Sequence, residues 1–137
     1  MQKILVIDDD YAVRYTLSRI LRANGYDVVT AADGARGMTM FHSEHPDVVI
    51  TDIIMPEQEG LETILKIRRE RPEVRIIAIS GGGRLAPNRV DSKMELLVAA
   101  RGLGADSVIP KPFDEETVLS RLAHPGAFLA VEGDIVQ

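Results

Sequence analysis

Five polar residues carry the chemistry this sequence can do: Asp8, Asp9, Asp52, Ser80 and Lys111. Each ends or follows a short apolar run, in Ile4-Leu5-Val6-Ile7-Asp8-Asp9, Val48-Val49-Ile50-Thr51-Asp52, Ile77-Ala78-Ile79-Ser80 and Ser107-Val108-Ile109-Pro110-Lys111. Three carboxylates brought together repel one another, so one must protonate or a cation must join them. A hard oxygen site with room for water suits Mg²⁺, which takes one or two carboxylates and a phosphate oxygen. A lysine and a hydroxyl at the same place supply donors for phosphoryl oxygens. A nucleophilic carboxylate, a metal and such donors are together what an acyl phosphate requires. Singly, each residue has a plainer explanation. Adjacent acids at a helix start complement its dipole, an Asp or Ser at a strand end serves a turn, and a lone lysine is usually solvated. Those explanations do not account for all five arriving together.

Short apolar runs alternate here with longer stretches of helical period, the pattern of a parallel sheet covered on both faces. Ile4 to Ile7 reads as a first strand, apolar on both faces as a central parallel strand is. Asp10 caps a helix whose buried stripe is Val13, Leu17, Ile20 and Leu21, and Asn24-Gly25 stops it. Asp27 to Ala31 is a second strand, and Gly34 to Ser43 a less regular helix weakened by Gly37 and Thr39. Asp47 to Thr51 is a third strand finishing at Asp52. Pro56 and Gly60 mark a turn into a third helix lined by Leu61, Ile64, Leu65 and Ile67 and closed by Pro72. Val74 to Ile79 is a fourth strand ending at Ser80. Gly81-Gly82-Gly83 then opens a long connection, in which Met94, Leu97 and Val98 suggest a helix ending at Gly104. Ser107 to Ile109 is a short fifth strand, and Asp114 to Ala123 a last helix. All strands of such a sheet deliver their C-terminal ends to one edge, where doubly wound folds bind ligands.

The 137 residues are 45% hydrophobic and 27% charged, the make-up of one globular domain. A net charge of −5 argues against an electrostatic grip on nucleic acid or anionic lipid. The absence of cysteine excludes disulfide and thiolate chemistry. The N-terminus runs from a short apolar stretch straight into acid, unlike a signal peptide. No apolar run approaches the ~20 residues that span a bilayer, so a cytoplasmic location is expected. The basic run from Lys66 to Arg71 is flanked by acids and reads as a solvated helix face rather than a nucleic-acid contact. His42, His45 and His124 share no short ligand spacing.

The segments Ile-Leu-Val-Ile-Asp8-Asp9, Asp47-Val-Val-Ile-Thr-Asp52-Ile-Ile-Met-Pro56, Ile-Ala-Ile-Ser80 and Lys111-Pro112-Phe113 resemble the receiver domain of two-component response regulators. The likeness, to single-domain receivers of the chemotaxis-regulator kind, covers about residues 3 to 123. It implies an α/β, flavodoxin-like doubly wound sheet of five parallel strands in the order 2-1-3-4-5, with helices on both faces. It makes Asp52 the phosphoacceptor and Asp9 a direct ligand of Mg²⁺ or Mn²⁺. Asp8 would assist through water, and the backbone carbonyl of Ile54 would complete the protein ligands. Ser80 would bond a phosphoryl oxygen, and Lys111 would pair with the phosphate, aimed by a cis bond to Pro112. The donor would be a histidine kinase or phosphotransfer protein, and a downstream protein partner would read the altered face. The chain would catalyse only its own phosphorylation and dephosphorylation. Residues 1–123 are then the receiver, and 124–137 a tail too short for an output domain.

Three features depart from the family pattern. The stretch from Ser80 to Lys111 is longer than usual, its excess falling in Gly81 to Asp91. This is either a mobile switch loop whose glycines let amides approach phosphate or, on the preferred reading, a surface insertion of small entropic cost. Val108 stands where receivers carry Tyr or Phe, so coupling to the output face need not follow an aromatic rotamer. Ile54 and Gly82 occupy positions that tune dephosphorylation, and neither side chain can orient a water. Two other classes fit less well. An aspartate-nucleophile phosphohydrolase needs an acid two residues after its nucleophile, where Asp52 is followed by Ile54, and Asp10 lies in a run that must begin a helix. A flavin-binding electron carrier needs an anion-binding loop after strand one, where Asp8-Asp9-Asp10 would repel phosphate.

Overall fold

The computed structural model describes residues 1–53, 59–80, 102 and 104–123. Along them run β1 (Lys3–Ile7), α1 (Tyr11–Ala23), β2 (Asp27–Ala31), α2 (Gly34–Glu44), β3 (Val48–Asp52), α3 (Glu59–Glu70), β4 (Arg75–Ser80), β5 (Ser107–Pro110) and α4 (Glu115–Ala123). The strands form one parallel sheet in the order β2-β1-β3-β4-β5, the flavodoxin-like order expected. Asp47, Val74 and Asp114 lie just outside the elements assigned to them, and each makes a hydrogen bond at that boundary. Asp47 Oδ2 accepts from the Lys3 backbone N–H at 2.9 Å, and Val74 N–H closes a turn on Arg71 O at 3.1 Å. Asp114 Oδ1 accepts from Thr117 N–H at 2.8 Å, as a helix cap does. The 81–91 connection, the helix expected near 94–103 and the 124–137 tail lie outside the described residues, apart from residue 102. No helix among the described residues is long and apolar enough to cross a membrane.

Successive strand residues point to opposite faces, so each apolar strand feeds two cores. Leu5, Ile7, Val49 and Ile76 meet Phe41 of α2 and Ile64 and Ile67 of α3. Ile4, Val6, Ile50 and Ile77 meet Leu17 and Leu21 of α1 and Val118 and Leu122 of α4 on the other face. Each fully buried Ile or Leu contributes roughly 2 kcal/mol. Helix α1 starts where expected, with Asp10 extended and its carboxylate accepting from Ala12 N–H at 2.9 Å. Asn24 and Gly25, the latter at φ +92°, close it. Asp33 caps α2 in the same manner.

The basic run on α3 is not uniformly solvated, contrary to the expectation. Arg71 donates to Pro46 O at 2.8 Å, with its guanidinium 4.9 Å from the centre of the Phe41 ring. Arg68 also turns inward, bonding Val74 O at 2.9 Å and Asp106 Oδ2 at 2.8 Å. Guanidinium groups serve both edge strands too. Arg22 donates to Val28 O in β2 at 3.0 Å, and Arg121 to Val108 O in β5 at 2.7 Å. Such side chains occupy edge groups that would otherwise invite another strand.

Candidate functional site

Strand register levels the polar residues before any side chain is considered. Ile7 pairs opposite Thr51, so Asp8 and Asp52 each stand one residue further on adjacent strands. Asp52 lies opposite Ile79, and Ser80, the last residue of β4, opposite Pro110. Lys111 follows directly, at the head of a cis Lys111–Pro112 peptide. The backbone of β1 carries on past its end, with Asp8 N–H donating to Ala31 O at 3.1 Å. Asp8, Asp52, Ser80 and Lys111 therefore collect at the C-terminal edge of the sheet. Ile54 lies outside the described residues.

The Lys111 ammonium sits between two carboxylates, 3.2 Å from Asp8 Oδ2 and 3.3 Å from Asp52 Oδ2. Both acids are buried, Asp8 at 0% exposure and Asp52 at 2%. Burial pulls the Lys111 pKa down, but the fields of Asp52 and Asp8 and hydrogen bonds to both outweigh it. The net result lies above the ordinary lysine value of 10.5. Asp8 is held from two sides. Its Oδ1 accepts from Asp10 N–H at 2.8 Å, and its carbonyl accepts from Arg14 Nη1 at 2.7 Å.

A divalent cation fits this donor set. Ligand oxygens of Asp8, Asp9 and Asp52 all lie within 4.8 Å of one another. Asp8 Oδ2 is buried, and the charge it meets is the Lys111 ammonium at 3.2 Å. Three carboxylates, two buried and one half-buried, suit Mg²⁺ or Mn²⁺ rather than a soft metal. The arrangement thus holds a buried carboxylate, a place for a hard cation and a fixed ammonium within reach of one another.

Two further residues, Gly60 and Arg14, support the site. A Cβ on Gly60 would lie 2.1 Å from the Asp52 carbonyl oxygen and 2.7 Å from Ile53 Cα. The first turn of α3 therefore rests directly on the backbone that carries Asp52, which only glycine permits. The sequence signal was a glycine early in a helical stretch, read as a turn marker. Arg14 had no signal beyond lying one turn into α1. Val108, the departure on β5, is buried in the core beneath α2 and α3 and presents no ring to swing.

Residues 4–123 match the response regulator receiver domain family. Response regulator MprA of Mycobacterium avium is 38% identical over 120 residues, which make up 88% of this chain and 49% of that protein. The chain spans about half the length of the curated relatives it matches. A CheY-like receiver domain protein of Methanospirillum hungatei superposes with a TM-score of 0.77 at 29% identity, over 90% of this chain and 91% of that one. The chemotaxis response regulator CheY4 of Vibrio cholerae gives 0.76 at 28% identity, over 91% and 98%.

Proposed function

The chain belongs to the response regulator receiver family, the phosphoacceptor switch of two-component systems, and from that premise we propose that Asp52 accepts the phosphoryl group. One observation carries the reading: the Lys111 ammonium bridges the buried carboxylates of Asp8 and Asp52 at the edge where every strand ends. An Asp52 carboxylate oxygen forms the bond to phosphorus as the bond from phosphorus to a histidine nitrogen breaks. The electron pair returns to that imidazole. Lys111 donates to a phosphoryl oxygen, and the Ser80 hydroxyl to another. Asp8, Asp9, Asp52 and the Ile54 carbonyl would hold Mg²⁺ or Mn²⁺, which when bound offsets the charge on the phosphoryl oxygens. Asp10 and Arg14 keep Asp8 oriented through the bonds described above.

The donor in this reading is a histidine kinase or phosphotransfer protein, and the readout a downstream protein partner. The chain promotes its own phosphorylation and dephosphorylation and turns over no other substrate. Residues 1–123 form the receiver and 124–137 a tail, in a cytoplasmic setting without nucleic-acid or membrane contact of the receiver itself. Incubation with acetyl phosphate and Mg²⁺, followed by intact mass measurement, tests the assignment. One phosphoryl group should add to the wild type and none to Asp52→Asn. An adduct that persists in Asp52→Asn, or multiple-turnover hydrolysis of phosphate monoesters, would overturn it.

A further inference from the structure

We propose that Arg68 and Asp106, at the opposite end of β5 from the site, set the register of that strand and so place Lys111 against Asp8 and Asp52. The inference rests on the role assigned to Lys111 above. Strand β5 has four residues and pairs, among the described residues, with β4 alone. So short an edge strand is weakly held by its own ladder. Asp106, immediately before it, grips Ile76 twice. Its N–H donates to Ile76 O at 2.7 Å, and its Oδ2 accepts from Ile76 N–H at 2.9 Å. Arg68 Nη2 then donates to the same Oδ2 at 2.8 Å and to Gly104 O at 2.6 Å. Its Nε reaches Gly104 O at 3.1 Å, and its Nη1 reaches Val74 O at 2.9 Å.

One planar guanidinium thus ties the approaches to β4 and β5 together, a task that lysine, a single point donor, cannot copy. Gly104, at φ +122°, completes the fit, because a Cβ there would lie 2.9 Å from Arg68 Cγ. A strand rises about 3.3 Å per residue. A one-residue slip of β5 would turn buried Val108 and Ile109 to the wrong faces. A two-residue slip would carry Lys111 about 6.6 Å along the strand, breaking both carboxylate contacts. Asp106, which Arg68 grips, precedes Lys111 by five residues, about 16 Å of extended chain. Arg68 touches no reacting atom and acts as a positioning residue.

The test uses the full chain and the initial rate of Asp52 labelling by acetyl phosphate with Mg²⁺, with urea denaturation of each variant confirming that it is folded in the assay. Lys111→Ala should slow labelling by on the order of tenfold or more, and Arg68→Ala by a similar factor. Arg68→Lys should not restore the rate. On a Lys111→Ala background, Arg68→Ala should cause no further loss, because nothing remains for it to position. A merely structural role predicts losses that multiply. Labelling at the wild-type rate in Arg68→Ala, or multiplicative losses in the double variant, would overturn the proposal. If Arg68→Ala does not fold, Asp106→Asn replaces it, keeping an acceptor for Ile76 N–H while removing the charge that Arg68 grips. If wild type is not labelled, or Lys111→Ala labels normally, the function proposed above fails and this inference falls with it.

Discussion

Lys111 stands between two buried acids, its ammonium 3.2 Å from Asp8 and 3.3 Å from Asp52. Removing it leaves carboxylates facing each other at low dielectric, a loss of about 3 kcal/mol for buried pairs broken on one side. Lys111→Met should therefore lower metal-free stability by about that amount in urea denaturation, and by less with saturating Mg²⁺. The pH dependence has a definite sign. Because the folded pKa is raised, the stabilisation is complete below 10.5 and is lost as pH rises through the folded value. The gap between wild type and Lys111→Met should accordingly stay constant near neutral pH and narrow only above 10.5. The metal makes a separate prediction. Mg²⁺ at a hundred times its dissociation constant should stabilise the wild type by about 2.7 kcal/mol, and Asp9→Asn by markedly less, as read by thermal melting. These residues were legible in the sequence because a carboxylate, hydroxyl or lysine at a strand end is conspicuous after an apolar run. Arg14 was not, since its bond to the Asp8 carbonyl depends on where a long side chain ends.

Helix α3 shows how an element can matter more than its residues suggest. Its amphipathic stripe predicts that it packs on the sheet, but not how closely. The separation is set by Gly60, whose missing side chain lets the first turn meet the Asp52 carbonyl. Gly60→Ala should destabilise the fold by about 3 kcal/mol, toward the upper range for overpacking, because the obstructing atoms are backbone and cannot rotate away. Urea denaturation checks the value, and labelling of Asp52 should fall in parallel. Gly37 in α2 repeats the device more mildly, since its Cβ would lie 2.5 Å from the end of the Ile7 side chain, which can move. By helix propensity alone that glycine is a weakness of the helix. In the fold it allows a close approach to β1. Caps were read correctly at Asp10, because capping is a contact between neighbours in the chain. The inward turn of Arg68 on α3, and of Arg71 just past its end, is not legible in the sequence, because periodicity locates a Cβ and not the far end of a guanidinium.

At the scale of the whole sheet, the three clustered acids and Lys111 stand at its C-terminal edge, while the opposite edge holds the Arg68 and Asp106 anchor. Signal output from that edge must reckon with Val108, buried and aliphatic where the family carries an aromatic ring. Ile54 and Gly82 offer no side chain that can hold an attacking water. The lifetime of phosphorylated Asp52, followed by phosphate release after donor removal, should fall within the range of ordinary receivers; a far shorter one would contradict this. The sequence by itself determined the strands, most helix bounds, the cap at Asp10 and which polar residues end or follow the strands. Apolar period and local hydrogen bonding are encoded over a few neighbouring positions, and a parallel sheet sends every strand end to the same edge. Only the tertiary structure decided that Lys111 meets both Asp8 and Asp52, that Gly60 lies against Asp52, and that Arg68 holds the start of β5. Each of those contacts joins residues that lie on separate elements. Its distance follows from strand register and side-chain reach, which periodicity does not carry.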